Sequence, residues 1–148
     1  MFFKRKNTRV CLLRHWAWTP AIIYAVMCVG CGQGSPYAMT KVSGSVAYDD
    51  GSPIPADQIQ LRFDSLEEPI DAKTHPRPGM ATTGPDGTFS VVTTNKYGDG
   101  LIRGKHKVKV SATTASGEPL VPVIYNGMDS PLEVDSADAP FEIRVPRP

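Results

Sequence analysis

From residue 42 onward, apolar and polar residues alternate in short runs that are separated by turn-forming residues. Alternation with a period of two places successive side chains on opposite faces of a β-strand. No run of eight or more residues after Cys31 shows the spacing of an amphipathic helix. The pattern predicts an all-β fold, an antiparallel β-sandwich of about seven strands. Strands are expected over 42–48, 59–63, 80–83, 88–94, 105–112, 131–134 and 141–145.

Turn chemistry separates these strands. The Gly-Pro-Asp-Gly run at 84–87 predicts a type I turn that joins 80–83 and 88–94 as a hairpin. The segment 121–125 is short and interrupted by Pro122, so it is expected at a sheet edge or in a loop.

The first thirty residues have a different character. They contain five Lys or Arg residues and no acid, and residues 16–30 are uncharged and mostly apolar. As a helix, that apolar run would extend ~22 Å, which is short of the ~30 Å hydrocarbon core of a bilayer. Residues 1–30 are therefore predicted to be a secretory signal peptide, and a short transmembrane anchor is the alternative.

The residues at the end of this segment carry a resemblance. The run Cys-Val-Gly-Cys-Gly at 28–32 resembles the lipobox of bacterial lipoproteins. The resemblance implies cleavage before Cys31 and attachment of a lipid to its thiol, with cleavage before Cys28 as the alternative. Gly32 stands where an Asp would retain a lipoprotein in the inner membrane. The expected location is therefore the outer membrane, facing the periplasm or the cell surface.

Net charge and cysteine positions exclude some classes of protein. The chain has 148 residues and a net charge of +1, so it lacks the strongly basic balance of a nucleic-acid-binding protein. Its three cysteines all lie at or before Cys31, and an exported domain over 42–148 must therefore fold without disulfides. Residues 31–41 have no periodicity and predict a flexible tether between the lipid anchor and this domain.

The domain itself resembles a known family. The run Val-Ser-Gly-Ser-Val at 42–46, Asp50-Gly51, Ile54-Pro55 and the turn region 83–89 are similar to carboxypeptidase regulatory-like domains. The similarity covers about 42–145, and small bacterial lipoproteins that carry one such domain are similar throughout. It implies a transthyretin-like (prealbumin-like) sandwich, also described as Ig-like. Its motifs specify architecture rather than activity, so a non-catalytic binding or structural module without a cofactor is expected.

Candidate contact residues come from one strand and two loops. Lys105, Lys107 and Lys109 share a face and predict a basic stripe for an anionic polymer or lipid headgroups. The alternative is a strand edge protected by lysines. Tyr97 and Tyr125 lie in predicted loops, where each ring could stack on a sugar or cap the core. The expected partners are the membrane, through Cys31, and an envelope protein, glycan or surface layer.

A catalytic alternative rests on the two histidines of the domain. In this alternative, a small hydrolase or an accessory domain of one would use His106 or His75 as a base. His106 has the same strand parity as Val108 and Val110, so it is expected to face the core or its rim. Two separated histidines do not make a metal-ligand set, and the loop aspartates match no EF-hand spacing.

Intact-mass measurement of the protein extracted from membranes checks the anchoring prediction. The expected species begins at Cys31 and carries the added mass of acyl chains. A species that begins at Cys28 would move the cleavage site. Unmodified full-length protein in the cytoplasm would contradict the signal peptide and the lipid anchor.

Overall fold

The computed structural model describes residues 35–148, and the predicted signal peptide over 1–30 and the predicted lipidation site Cys31 lie outside this range. The described part is all-β, as predicted, with nine strands and two 3-10 helices, and none of its helices is long and apolar enough to cross a membrane. The strands are Met39–Thr40 (β1), Gly44–Tyr48 (β2), Gln60–Ser65 (β3), Gly79–Thr82 (β4), Thr88–Phe89 (β5), Leu101–Ile102 (β6), Lys105–Ser111 (β7), Glu133–Asp135 (β8) and Phe141–Val145 (β9). The 3-10 helices are Val123–Asn126 (η1) and Ser136–Asp138 (η2).

Two sheets face each other across one hydrophobic core. The order in the smaller sheet is β5-β2-β9, and the order in the larger sheet is β4-β3-β7-β8. Phe63 of β3 links them, because its ring centroid lies 6.0 Å from those of both Phe89 and Phe141. Burial alternates along the strands as the sequence predicts: in β9, Phe141 and Ile143 are buried while Glu142 is exposed. Seven of the nine strands overlap predicted strands.

One pair of strands is parallel. Strands β2 and β9 run in the same direction over five residues, from Gly44 opposite Phe141 to Tyr48 opposite Val145. All other strand pairs in the described part are antiparallel. Parallel pairing requires a long connection, and nearly the whole domain separates these two strands in the chain.

The predicted hairpin over 80–83 and 88–94 is replaced by a crossover between the sheets. Strand β4 pairs with β3 in the larger sheet, whereas β5 pairs with β2 in the smaller sheet. The predicted turn forms, since the Gly87 amide donates to the Gly84 carbonyl at 3.0 Å, but the expected pairing is reduced to an isolated bridge between Met80 and Thr93 and one hydrogen bond from the Gly84 amide to the Thr88 carbonyl. The prediction failed because β2 competes for the same segment: the Val46 amide donates to the Gly87 carbonyl at 2.9 Å, and Phe89 enters the core beside Phe63.

The folded domain begins earlier than predicted. Strand β1 pairs with β6, so that Met39 lies opposite Ile102 and Thr40 lies opposite Leu101. Leu101 and Ile102 are buried, and pairing with β1 gives partners to the backbone groups of this buried segment. The prediction of a flexible tether over 31–41 is therefore wrong for 37–40.

The segment 121–125 forms a loop rather than an edge strand. Its second half forms η1, and the Tyr125 amide donates to the Pro122 carbonyl at 2.9 Å. Pro122 cannot donate a ladder hydrogen bond, which favours the loop that the sequence offered as the other choice.

Replacement of Gly44 by Ala should destabilise the domain. A Cβ atom at this position would lie 2.5 Å from the Phe141 carbonyl oxygen and 2.9 Å from Cζ of Phe89. Because backbone must move to admit it, we expect a loss of about 1–3 kcal/mol in the free energy of unfolding, measured by urea denaturation. Gly127→Ala is the matched control, since its nearest neighbour is 3.4 Å away. Equal midpoints for the two variants would contradict this account.

Candidate functional site

The three predicted lysines lie on the outer face of a central strand. Lys105 is exposed, and Lys107 and Lys109 are partly buried. Strand β7 that carries them is paired with β3 on one side and β8 on the other. For Lys105 and Lys107, this pairing argues against the alternative of lysines that protect a sheet edge, because β8 covers that side of the strand.

Asp64 neutralises one end of the lysine stripe. Its carboxylate lies 2.8 Å from Lys109 Nζ and 2.7 Å from Arg62 Nε, between two cations that are directly opposite each other in the sheet. Desolvation raises the pKa of Asp64, but hydrogen bonds from Lys109 and Arg62 outweigh it, and the pKa falls below its usual value. The carboxylate therefore removes the repulsion that Arg62 and Lys109 would otherwise have.

The other two lysines of the stripe also lie opposite acidic residues, but neither forms an ion pair within 4.0 Å in the described part. Lys107 lies opposite Asp64 on one neighbouring strand and opposite Glu133 on the other. Lys105 lies opposite Asp135. Opposite charges at cross-strand positions attract each other and reduce the field that the lysines project. This face is consequently close to electrically balanced, which weakens the case for a stripe that binds anions.

The two predicted tyrosines have different surroundings. Tyr125 is partly buried and packs against the hydrophobic core, so its ring caps the sandwich. Tyr97 is 88% exposed. Of the two rings, only that of Tyr97 is free to stack on a flat ligand.

The loop that presents Tyr97 is braced from within. The Asp99 carboxylate accepts hydrogen bonds from the backbone amides of Thr94, Asn95 and Lys96 at 2.8, 3.0 and 2.9 Å. Desolvation raises the pKa of Asp99, yet these amide hydrogen bonds dominate and lower it. Gly98 follows Tyr97 with φ of +70°, a conformation that glycine adopts without strain. The exposed ring is therefore held on a rigid loop.

A shallow cleft of about 300 Å³ lies beside this loop. The sequence did not connect Tyr97 with Lys41 and Val42, because these two residues lie far before it in the chain. The ring of Tyr97, the ammonium group of Lys41 and the hydroxyl of Ser90 lie together in this cleft. This combination suits a polar ligand with a flat apolar face. We call this surface the Tyr97 cleft, and it is lined by Lys41, Val42, Ser90, Val91, Val92, Tyr97 and Gly98.

The two histidines of the domain lie in different surroundings. His106 is 1% exposed, on the inner face of β7, and its Nδ1 lies 3.1 Å from the Gly104 carbonyl oxygen. Burial lowers the pKa of His106, against smaller opposing effects of that carbonyl and of nearby acids such as Asp135. His75 is exposed, in the loop between β3 and β4, with Nε2 3.2 Å from the Ala72 carbonyl oxygen. His106 therefore faces the core, as expected from its parity.

Aspartates in the turns bond to their own backbone. Asp71 accepts hydrogen bonds from the amides of Lys73 and Thr74, and Asp86 accepts one from the amide of Thr88. Hydrogen bonds from Ser52 lower the pKa of Asp50 to about 2. Within 35–148, no group of three or more His, Cys, Asp or Glu side chains is arranged to hold a metal ion. Turn formation accounts for these aspartates.

No protein-family model, no curated protein and no solved structure matches the chain. The residues and the fold therefore carry the functional argument alone.

The buried His106 should make stability depend on pH. Because the unfolded chain protonates this ring at a higher pH than the folded chain does, the free energy of unfolding should fall as the pH drops through about 6.5. Urea midpoints between about pH 7.5 and 5.5 measure this fall, and His106→Leu should flatten it. His75→Ala, at an exposed ring, should keep the fall. An unchanged slope in His106→Leu would show that another group causes it.

Proposed function

We propose that this protein is a lipid-anchored envelope protein whose β-sandwich is a non-catalytic binding module of the carboxypeptidase regulatory-like type. The basic segment, the short apolar run and the lipobox-like residues that end at Cys31 support the anchor. The proposed location is the outer membrane, with the domain facing the periplasm or the cell surface. The domain would meet its ligand through the Tyr97 cleft.

The observation that carries this proposal is the exposed ring of Tyr97 on a braced loop. A tyrosine that served only the core would be packed, as Tyr125 is. Asp99 accepts hydrogen bonds from three backbone amides of the loop, so the backbone that carries the ring is braced before a ligand arrives. A preordered contact avoids the entropy that a mobile loop would lose on binding.

An envelope glycan is the ligand that fits this surface best. The ring of Tyr97 can stack on the apolar face of a sugar, which is one of the two roles that the sequence left open for it. Lys41 and Ser90 line the same cleft and can bond to hydroxyl or acidic groups at the edge of that sugar. The balanced charge of the lysine stripe favours the Tyr97 cleft over β7 as the contact surface.

Co-sedimentation of the full-length protein with insoluble cell-wall glycan tests the cleft. Tyr97→Ala should weaken binding by up to about tenfold, because an aromatic stacking contact contributes about 0.5–1.5 kcal/mol. Tyr97→Phe should keep most of the affinity. Asp99→Ala should weaken binding although Tyr97 is intact, because it loosens the loop.

Met128→Ala is the matched control, since it removes another highly exposed apolar side chain from a different loop. It should bind like the unaltered protein. Equal binding of Tyr97→Ala and Met128→Ala would contradict the Tyr97 cleft as the glycan site.

A further inference from the structure

The N-terminal end of the domain is fixed to one loop. The Tyr37 hydroxyl donates to the Thr74 carbonyl oxygen at 3.0 Å and accepts from the Ile70 amide at 3.3 Å. One residue later, the Ala38 carbonyl accepts a hydrogen bond from the Arg103 amide at 2.9 Å. The chain is therefore held in the fold from Tyr37, directly beside Ile70.

This attachment sets a short limit on the distance to the proposed anchor. Six residue steps lead from Cys31 to Tyr37. Even a fully extended chain of this length reaches only ~20 Å. With Cys31 acylated, the surface around Tyr37 cannot move further than this from the bilayer. A tether that ended at residue 41 would have reached about two-thirds further.

The loop beside Tyr37 exposes aliphatic side chains. Ile70 is 56% exposed and Leu66 is 49% exposed. The loop is also ordered by its own hydrogen bonds: the Ile70 amide is 3.1 Å from the Thr74 carbonyl oxygen, and the Asp71 carboxylate accepts from the amides of Lys73 and Thr74. We call residues 66–74 the Ile70 loop.

The charges of the Ile70 loop do not favour an anionic surface. It carries Glu67, Glu68 and Asp71 against Lys73. Any contact with lipid must then depend on the apolar side chains and on the short tether, rather than on attraction to acidic headgroups.

We propose that the tether holds the Ile70 loop against the bilayer, so that Ile70 and Leu66 enter the interface between headgroups and acyl chains. This inference rests on the proposed lipid anchor at Cys31. The anchor makes the contact intramolecular, so even a weak apolar contact is populated at the high effective concentration that a short tether creates. The occupant of this surface is a neutral phospholipid bilayer.

A second apolar surface provides the control. Helix η1 and the residues after it expose Val123 and Met128. Between them in the chain is Asn126 of η1, which borders a cleft with Lys109, whereas the Leu66 amide bonds to the Lys105 carbonyl. Lys109 is four residues from Lys105, or about 13 Å along β7. Met128 is therefore an exposed apolar position that is separated along β7 from the Ile70 loop.

Fluorescence in vesicles tests the proposal. The mature acylated protein, with Ile70→Cys or Met128→Cys labelled by an environment-sensitive dye, is reconstituted in phosphatidylcholine vesicles that contain spin-labelled lipid. Because a chain cut before Cys31 has no cysteine besides the acylated Cys31, each dye reports a single position. Quenching at position 70 should exceed that at position 128 several-fold and should not change with salt.

A longer tether makes the test specific. A Gly/Ser insertion between Gly34 and Ser35 should reduce quenching at position 70, because effective concentration falls with linker length. Equal quenching at 70 and 128 in an acylated, vesicle-bound protein would overturn the contact and leave the anchor intact. Protein that lacks acyl chains and does not bind vesicles would overturn the anchor and this inference together. Loss of glycan binding in Tyr97→Ala bears on neither result.

Discussion

The contact between Phe63 and the two rings of the opposite sheet holds the sandwich together. With no cysteine after Cys31, burial of apolar side chains must join the sheets without covalent help. Phe63 lies 6.0 Å from both Phe89 and Phe141, so one side chain of β3 links the two outer strands of the smaller sheet. Gly44 on β2 makes room for this contact, because any side chain there would meet both neighbouring strands. The rest of the fold has to be compatible with the packing of these three rings between the sheets.

The packed core between the sheets also limits where a ligand could bind. Side chains that point inward along the strands are committed to the core, and His106 is among them. On the outer face of β7 are Lys105, Lys107 and Lys109. The neighbouring strands place Asp64, Glu133 and Asp135 opposite or beside them. The larger sheet therefore offers a ligand little net charge on its outer face, and its inner face is buried. Exposed apolar groups lie instead in connecting segments, where backbone geometry rather than core packing determines which side chains are presented.

Two of these segments fit the proposed role of the protein at a membrane. The Ile70 loop lies beside the point where the chain enters the domain, and the Tyr97 cleft includes Lys41, which follows β1. Tyr97, Lys41 and the Ile70 loop all lie in segments that the sequence alone assigned to a tether or to loops. A domain held close to a bilayer would present the Tyr97 cleft to glycan that lies near that surface. The segment from Cys31 to Val42 would then connect the proposed anchor with both surfaces, because Tyr37 contacts the Ile70 loop and Lys41 lines the Tyr97 cleft.

The sequence by itself determined seven of the nine strands and their buried faces, because alternation of apolar and polar residues is a local property with a period of two. It also determined that His106 points inward and that Tyr97 lies in a loop. Only the tertiary structure decided that β5 joins β2, that β9 runs parallel to β2 and that β1 belongs to the domain. It alone placed Asp64 between Arg62 and Lys109, and Lys41 beside Tyr97. Strand pairing depends on which distant segments together bury the most surface and satisfy the most backbone groups, and a local pattern carries no record of that competition.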